Sequence, residues 1–458
     1  MPFRKLLPGL ALACLATPLA ASEPFPSTYA PLPSGTVLIK GATILTGDGG
    51  RIENGSLLLA DGRIAELGSD VSADESQVEV IDAQGRWVTP GLIDVHSHLG
   101  VYASPGVKAH SDGNEASSPV TAEVWAEHSV WPQDPGFNRA RAGGVTSLLI
   151  LPGSANLTGG RGVTLKNVPA TSYQAMKFPA APHALKMACG ENPKRVYGGK
   201  GQSPSTRMGN VAGYRKQWID AQRYRDEWAA WEKKRQGKKN DRDETAALPP
   251  KRDLKLETLA AVLEGDILVH MHCYRADEMM TVLDMADEFD YRVTAFHHGV
   301  EAYKIADELA EAGVCGALWA DWWGFKLEAY DGIMENIALV DRPDGGCAIV
   351  HSDSAEGIQR LNQEAGKAMG KGNRAGLSIA PEHAIRWITA NPARAMGILD
   401  RTGTLEIGKM ADVVIWNGNP FSVYARADQV FVDGALLYDR DEIARQPLSD
   451  FELGQQLD

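Results

Sequence analysis

Across residues 36–90, apolar and polar positions alternate in short runs, TVLIKGATILTG, GSLLLADGRIAELG and VEVIDAQGRWVTP, interrupted at Gly49-Gly50, Asp61-Gly62 and Gln84-Gly85. A period of two with glycine at the breaks predicts β-hairpins, because alternate side chains leave a strand on opposite faces. The same texture returns only at residues 411–416 and 429–434. Two β-rich ends of one style predict a small β-sandwich assembled from residues 35–90 and 401–445. Between them, residues 91–400 change character. Short apolar runs (GVTSLLILPG, GVTLKN, HALKMACG, DILVHMHC, RVTAFHHG, GVCGALWA, CAIVHSD) are mostly followed by amphipathic stretches such as EAYKIADELAEAG and PEHAIRWITANPARAMGI. Strand-then-helix repetition of this number predicts the α/β class and a (β/α)8 TIM-like barrel. An open doubly wound sheet is the runner-up, weakened because no G-x-G-x-x-G follows a strand. In residues 213–256, Tyr214, Trp218, Ala221, Tyr224, Trp228 and Trp231 fall three to four apart, which predicts a helix packed on the barrel. The mixed-charge run 232–244 reads as a solvated loop.

Composition narrows the classes without adding a new one. The 458 residues are 44% hydrophobic and 23% charged, which suits a large packed core and excludes disorder, collagen and coiled coil. A net charge of −13, spread along the chain, offers no cationic face to a phosphate backbone, so nucleic acid is not an expected partner. A small-molecule substrate is expected, and a homo-oligomer is compatible with the chain.

Residues 1–22 have the three parts of a secretory signal: Arg4 and Lys5, an apolar run over 6–16, then Ala20, Ala21 and Ser22. The expectation is export, to the periplasm or beyond. The run falls short of the roughly 18 apolar residues that a membrane span needs, and no later stretch approaches that length. Cys14 follows Ala11-Leu12-Ala13, a poor acylation signal. Cys189, Cys273, Cys315 and Cys347 each lie in apolar stretches without C-x-x-C spacing, and a chain of this size needs no staples. Buried free thiols are therefore expected, although four cysteines could pair in an oxidising compartment.

The richest stretch is Gly91-Leu-Ile-Asp-Val-His96-Ser-His98. Residues two apart on a strand share a face, so His96 and His98 should both project into the barrel, with Val95 and Ser97 toward the helices. Paired imidazoles at a strand end favour metal binding over two separately satisfied core histidines. At this point the chain resembles the amidohydrolase superfamily of metal-dependent hydrolases. The likeness rests on the G-L-I-D-x-H-x-H phrase, on the C-terminal phrase GTLEIGKMADVVIWNGNP and on the flanking β-domain. It covers nearly the whole chain beyond the signal segment and looks nearest to imidazolonepropionase-like and prolidase-like members.

The resemblance implies a bridging acid or carboxylated lysine on strand four, one histidine each on strands five and six, and an aspartate on strand eight. On strand five, LVHMHCYRADE places that ligand at His272, with His270 one pleat deeper as the alternative. On strand six, His298 precedes Gly299 and matches, while His297 should point the other way and pack. On strand eight, Asp353 is the expected ligand and general base, and His351 lies beneath it on the same face. On strand four, Leu185, Met187 and Cys189 should face the helices, which turns Lys186 inward; Glu191, past Gly190, is the alternative bridge.

These ligands imply one or two divalent ions, zinc first and manganese or iron as alternatives, with a carboxylated Lys186 between them. A water shared by two such ions ionises near neutrality and supplies the nucleophile. Asp353 would take its proton and return it to the leaving nitrogen. Loops at the strands' C-terminal ends add Arg207 and Arg275 as partners for a substrate carboxylate, and Trp319, Trp322, Trp323 and Lys326 as a pocket wall. Gly159, Gly160 and Gly162 lack the strand-to-helix context of a phosphate loop. The leading expectation is an exported hydrolase of a C–N bond in a small amide, cyclic amide or dipeptide-like substrate. A deaminase of a small heterocycle and a catalytically silent metal-bearing binding protein are the rivals.

Overall fold

A computed structural model describes residues 24–237 and 248–446. The signal segment, Cys14 and the far end of the charged run lie outside the described residues. Five strands come first: β1 (Val37–Leu45), β2 (Arg51–Ala60), β3 (Arg63–Gly68), β4 (Glu79–Asp82) and β5 (Trp87–Pro90). Eight follow in the middle of the chain: β6 (Leu92–Ser97), β7 (Val145–Ile150), β8 (Thr158–Lys166), β9 (Ala184–Ala188), β10 (Leu268–His272), β11 (Val293–His297), β12 (Cys315–Leu318) and β13 (Ala348–Val350). The last are β14 (Val413–Trp416), β15 (Ala427–Val432) and β16 (Ala435–Asp439).

Both ends of the chain build one sheet, in the order β16-β15-β14-β5-β1-β2-β3 with β4 beside β1. Its seam is the antiparallel pairing of β5 with β14, where Val88 faces Ile415. The alternation seen in the sequence supplies its core, with Ile39, Ile44, Leu57, Val88, Val413 and Phe431 in one apolar cluster.

The middle strands form the barrel sheet, in chain order from β6 to β13. Strands β9 to β13 are parallel, as are β6 and β7. β8 departs from expectation and runs antiparallel to both β7 and β9. Residues 151–157 are too short a connection for the dozen or more residues that a parallel crossover needs. β13 meets β6 through side chains and loop backbone. Ser352 donates to Asp94 from its amide (3.2 Å) and from its hydroxyl, and Asp353 N donates to His96 O at 3.1 Å. The barrel floor is filled by Ile93, Leu149, Ala295, Ala317 and Ile349 with Ala393 and Met396 beneath them, so the barrel is a core and not a pore.

Helices α1 (Pro135–Ala142), α2 (Glu191–Gly198), α3 (Arg207–Gly237), α4 (Leu254–Leu263) and α5 (Ala276–Phe289) follow in the chain. In α3, Tyr214, Trp218 and Ala221 are buried, as the spacing predicts. The helix continues through 232–237, where a loop was expected, because Glu, Lys and Arg are good helix formers and no proline intervenes. No helix among the described residues is long and apolar enough to cross a membrane.

The four cysteines are paired, Cys189 with Cys273 and Cys315 with Cys347, which corrects the expectation of free thiols. The ladder explains why. Ala188 faces His272 and Gly316 faces Ala348 across parallel strands, so the next cysteine in each pair meets its partner directly, with Cα atoms 5.2 and 4.6 Å apart. Spacing along the chain carries no trace of that register.

A buried junction ties the barrel to the end sheet. Lys166 Nζ donates to both Asp412 oxygens (2.9 and 3.0 Å) and to Asp433 Oδ1 (2.9 Å), while the Tyr29 hydroxyl donates to Asp433.

Candidate functional site

The barrel sheet brings seven of the chain's eleven histidines together at and below the C-terminal ends of its parallel strands. Between Asp94 and Ser97 the register of β6 against β7 slips by one residue, so alternation breaks there. Val95 joins Ile93 and Leu149 in the interior cluster instead of facing the helices. His96 nevertheless reaches across the barrel. Its Nε2 lies 3.3 Å from Lys186 Nζ and 3.5 Å from Asp353 Oδ1. His98 Nε2 is 3.3 Å from the same carboxylate oxygen, and its Nδ1 meets Leu151 O at 2.8 Å. His298 Nδ1 is 3.9 Å from Asp353 Oδ2. Two overlapping sets, His96/His98/Asp353 and His96/His298/His351, each keep their ligand-capable atoms within 4.8 Å of one another.

His272 stands beside His298 with ring centroids 4.8 Å apart, and its Nε2 is 3.3 Å from Asn192 Nδ2. His270 lies one layer deeper and is bound elsewhere. Its Nδ1 meets His297 Nε2 at 2.8 Å and its Nε2 meets Ala395 O at 3.1 Å. His297, expected to pack on the other face, points inward and joins His96 Nδ1 to Nδ1 at 2.8 Å. Ala295 and His297 sit opposite His270 and His272 in the ladder and share their face. His298 then turns back into the barrel through a left-handed backbone, φ 68°, so both neighbours are delivered inward. Asp353 takes the same region at φ 49°. Non-glycine residues held there cost on the order of 1 kcal/mol or more each and concentrate at functional sites.

Burial, reinforced by neighbouring imidazoles and Lys186, holds His96, His272, His297 and His298 well below the ordinary imidazole range, and burial brings His270 and His351 down to about 3. These rings are therefore neutral at physiological pH. Burial lowers Lys186 to about 7, with Asp353 acting the other way. Asp353 itself resists burial: the hydrogen bond and charge from His98, with His351 and Lys186, keep its carboxyl below the usual range. Among the described residues, His272 Nδ1, His298 Nδ1 and both nitrogens of His351 are buried without a hydrogen-bond partner. Buried polar atoms are almost always paired, so a set of unshared imidazole lone pairs around a carboxylate and an amine fits a divalent cation.

The remaining candidates are placed differently. Glu191 opens α2 past Gly190, whose φ of 76° turns the chain off β9 and where a Cβ would come within 2.0 Å of Glu328 Oε1. Its carboxylate lies 3.6 Å from Lys326 Nζ. Arg207 is held by Glu278 (3.1 Å) and Glu328 (2.9 Å), and Arg275 by Asp277 (2.8 Å). Trp323 packs half-buried against the Tyr274, Val300 and Trp319 cluster. Trp319 stacks on His298 at 4.3 Å between centroids. Lys326 lies over the Tyr274 ring at 4.3 Å and donates to Asn192 Oδ1 at 3.0 Å. Sequence reasoning turned His297 to the wrong face and passed over Asn192 and Tyr274. For His297 a signal existed: the large apolar Phe296 belongs outside, which turns its neighbour inward.

A model of the amidohydrolase family matches residues 346–438, which include Asp353. Over 412 residues the chain is 32% identical to the amidohydrolase tasK of Hapsidospora irregularis; the match covers 86% of this chain but 41% of that protein, so the chain spans less than half of this relative. Over 396 residues it is 26% identical to an imidazolonepropionase of Mesorhizobium japonicum, covering 80% of this chain and 87% of that one. Among solved structures, an amidohydrolase from Thermotoga maritima MSB8 superposes with a TM-score of 0.77 at 34% identity, over 88% of this chain and the whole of the other. A relative of that identity, covered from end to end and sharing the barrel, leaves one assignment: the chain belongs to the amidohydrolase superfamily.

Proposed function

We propose that this protein is an exported metal-dependent hydrolase that cleaves a C–N bond, other than an ordinary peptide bond, in a small substrate. The observation that carries the reading is the group of buried, unpartnered imidazole nitrogens on His272, His298 and His351 around Asp353 and Lys186. His96, His98, Lys186, His272, His298 and Asp353 would hold one or two divalent ions, zinc before manganese or iron, with His351 within reach of the same space. Such ions supply Lewis-acid chemistry, polarising a carbonyl and bringing water's ionisation toward neutrality.

The chain's own groups do the rest. Asp353 takes a proton from water at Oδ1 or Oδ2 and passes it to the departing nitrogen, a task suited to a carboxylate kept ionised by His98. Lys186, brought to about 7 by burial, is available as the free amine that adds to CO2 with loss of a proton, giving an anionic carbamate between the histidines. Trp319 and Tyr274 exclude water from one side of His298 and His272. At the mouth, acids within 3.1 Å hold Arg207 and Arg275, whereas Lys326 Nζ stands 3.6 Å from the Glu191 carboxylate. Of these three cations, Lys326 is the one that can receive an anionic substrate group. Export is supported by the two disulfides, which persist in oxidising compartments.

The test combines metal analysis with turnover. Protein lacking residues 1–22 and reconstituted with Zn²⁺ or Mn²⁺ is assayed on N-acyl amino acids, Xaa-Pro dipeptides, lactams and hydantoins. The expected result is one to two ions per chain and release of a new amine or ring-opened acid. Asp353→Asn should keep most of the metal while turnover falls at least ~10²-fold. Ammonia as the product would mean a deaminase instead. Bound metal with no turnover on any class would mean a binding protein, and less than about a tenth of an equivalent of metal after reconstitution would sink the metal reading.

A further inference from the structure

Three imidazoles form a continuous relay from the site to the barrel floor. Ala395 O meets His270 Nε2 at 3.1 Å, His270 Nδ1 meets His297 Nε2 at 2.8 Å, and His297 Nδ1 meets His96 Nδ1 at 2.8 Å. All three rings are wholly buried, and among the described residues no carboxylate is hydrogen-bonded to any of the nitrogens in the relay. A neutral imidazole carries one N–H and one lone pair, so each link needs one donor and one acceptor. A carbonyl only accepts.

The direction of every proton then follows from the bottom upward. His270 must donate from Nε2 to Ala395 O, which leaves its Nδ1 as an acceptor. His297 must therefore donate from Nε2, which leaves its own Nδ1 as an acceptor. His96 must donate from Nδ1. The outcome is a bare Nε2 on His96, on the side of Lys186 and Asp353. At the upper end, the Lys186 amine 3.3 Å away can donate to that bare nitrogen.

We propose that His297 and His270 are positioning residues, and that the Ala395 carbonyl, acting through them, locks His96 in the tautomer whose Nε2 lone pair faces the metal site. His96 belongs to both ligand-capable sets and its Nε2 is the nitrogen 3.5 Å from Asp353, so a ring of the wrong tautomer would present a proton where a cation needs electrons. The ring nitrogens not used for ligation are what usually set tautomer and orientation in histidine metal sites. Here that role falls to two further histidines, where a carboxylate or carbonyl more often serves. The metal consequence rests on the reading given above; the tautomer itself does not.

The experiment reads the two separately. In metal-free protein labelled with ¹⁵N-histidine, long-range ¹⁵N–¹H correlations report which nitrogen of each ring is protonated. His96 should be protonated on Nδ1, and His297 and His270 on Nε2. Protonation of His96 on Nε2 would overturn the proposal with no variant needed. His270→Leu, which breaks the relay, should release His96 into mixed tautomers and weaken Zn²⁺ about 10- to 100-fold by competition with a chelator. His270→Gln can accept from His297 and donate to Ala395 O, so it should restore the Nδ1–H tautomer and hold Zn²⁺ within about 3-fold of the parent. Equal losses in both variants would reduce His270 to a packing role. Correct tautomers in a protein that binds no Zn²⁺ would instead leave the relay standing and defeat the metal reading.

Discussion

The pairing of all four described cysteines can be tested by removing each bridge in turn, as Cys189→Ala with Cys273→Ala and as Cys315→Ala with Cys347→Ala. The first bridge spans 84 residues of sequence and the second 32. If a cross-link acts by restricting the unfolded chain, loops of those lengths correspond to about 4.6 and 3.7 kcal/mol at 25 °C. Against a total stability of about 5–15 kcal/mol for a folded domain, loss of either is severe and loss of both is close to disabling. All four side chains are buried, so alanine also removes packed sulfur, which adds to the cost. Urea unfolding at neutral pH should place each double variant about 3–5 kcal/mol below the parent, with the longer loop costing more. In protein lacking residues 1–22, and with it Cys14, thiol titration in denaturant should find no free thiol until reductant is added, then four. Four thiols titrating without reductant, from protein produced in an oxidising compartment, would refute the pairing. Variants within about 1 kcal/mol of the parent would refute the loop argument while leaving the bonds in place.

Lys186→Ala should abolish metal retention, with partial rescue by a short carboxylic acid, whereas Glu191→Gln should leave metal content nearly intact; elemental analysis showing the reverse pattern would move the bridge to Glu191. Lys166→Met strands Asp412 and Asp433, which are 1% and 4% exposed, and should cost about 3–5 kcal/mol at pH 8. Asp433 is already raised above the ordinary carboxylate range by burial and then by Asp412. A carboxylate raised in the folded state binds a proton that the unfolded chain releases, so stability rises as pH falls through the folded value. The deficit of Lys166→Met in urea unfolding should therefore shrink between pH 8 and pH 5; a pH-independent deficit would contradict it. Lys326→Met should raise KM at least about ten-fold for a substrate bearing a carboxylate and leave kcat and a carboxylate-free analogue little changed; equal effects on both would show that Lys326 only packs on Tyr274.

Much of the architecture is legible in the chain because it rests on periodicity. Alternation marks the end sheet, and the spacing from Tyr214 to Trp231 marks the long helix. What escaped was relational. The reversed β8 depends on how few residues join it to β7, and the disulfides depend on the register of parallel strands, which nothing along the chain records. In the site, parity turns Lys186 inward, beside His96, because β9 is regular. It fails around Val95, where β6 slips by one residue, and at His297 and His298, where a left-handed backbone brings two consecutive side chains to one side. Arg207 and Arg275 have the right chemistry for a carboxylate, but Glu278 and Glu328, which hold Arg207, become its neighbours only through the fold, whereas Asp277, which holds Arg275, stands two residues along the chain.

The seam between β5 and β14 sets a timetable. Pro90 pairs with Val413, so about 320 residues separate the partners, or roughly 15–65 s of synthesis at 5–20 residues per second. Throughout that interval β5 has an unpaired edge, and the apolar faces of β1 and β2 wait for Val413, Ile415 and Phe431 to cover them. The end sheet thus closes after the barrel strands have been made, and only a chain translated through β16, which ends at Asp439, can complete it. A ribosome stalled at any earlier point, barrel strands included, would hold a nascent protein whose first module is still open to chaperones and proteases.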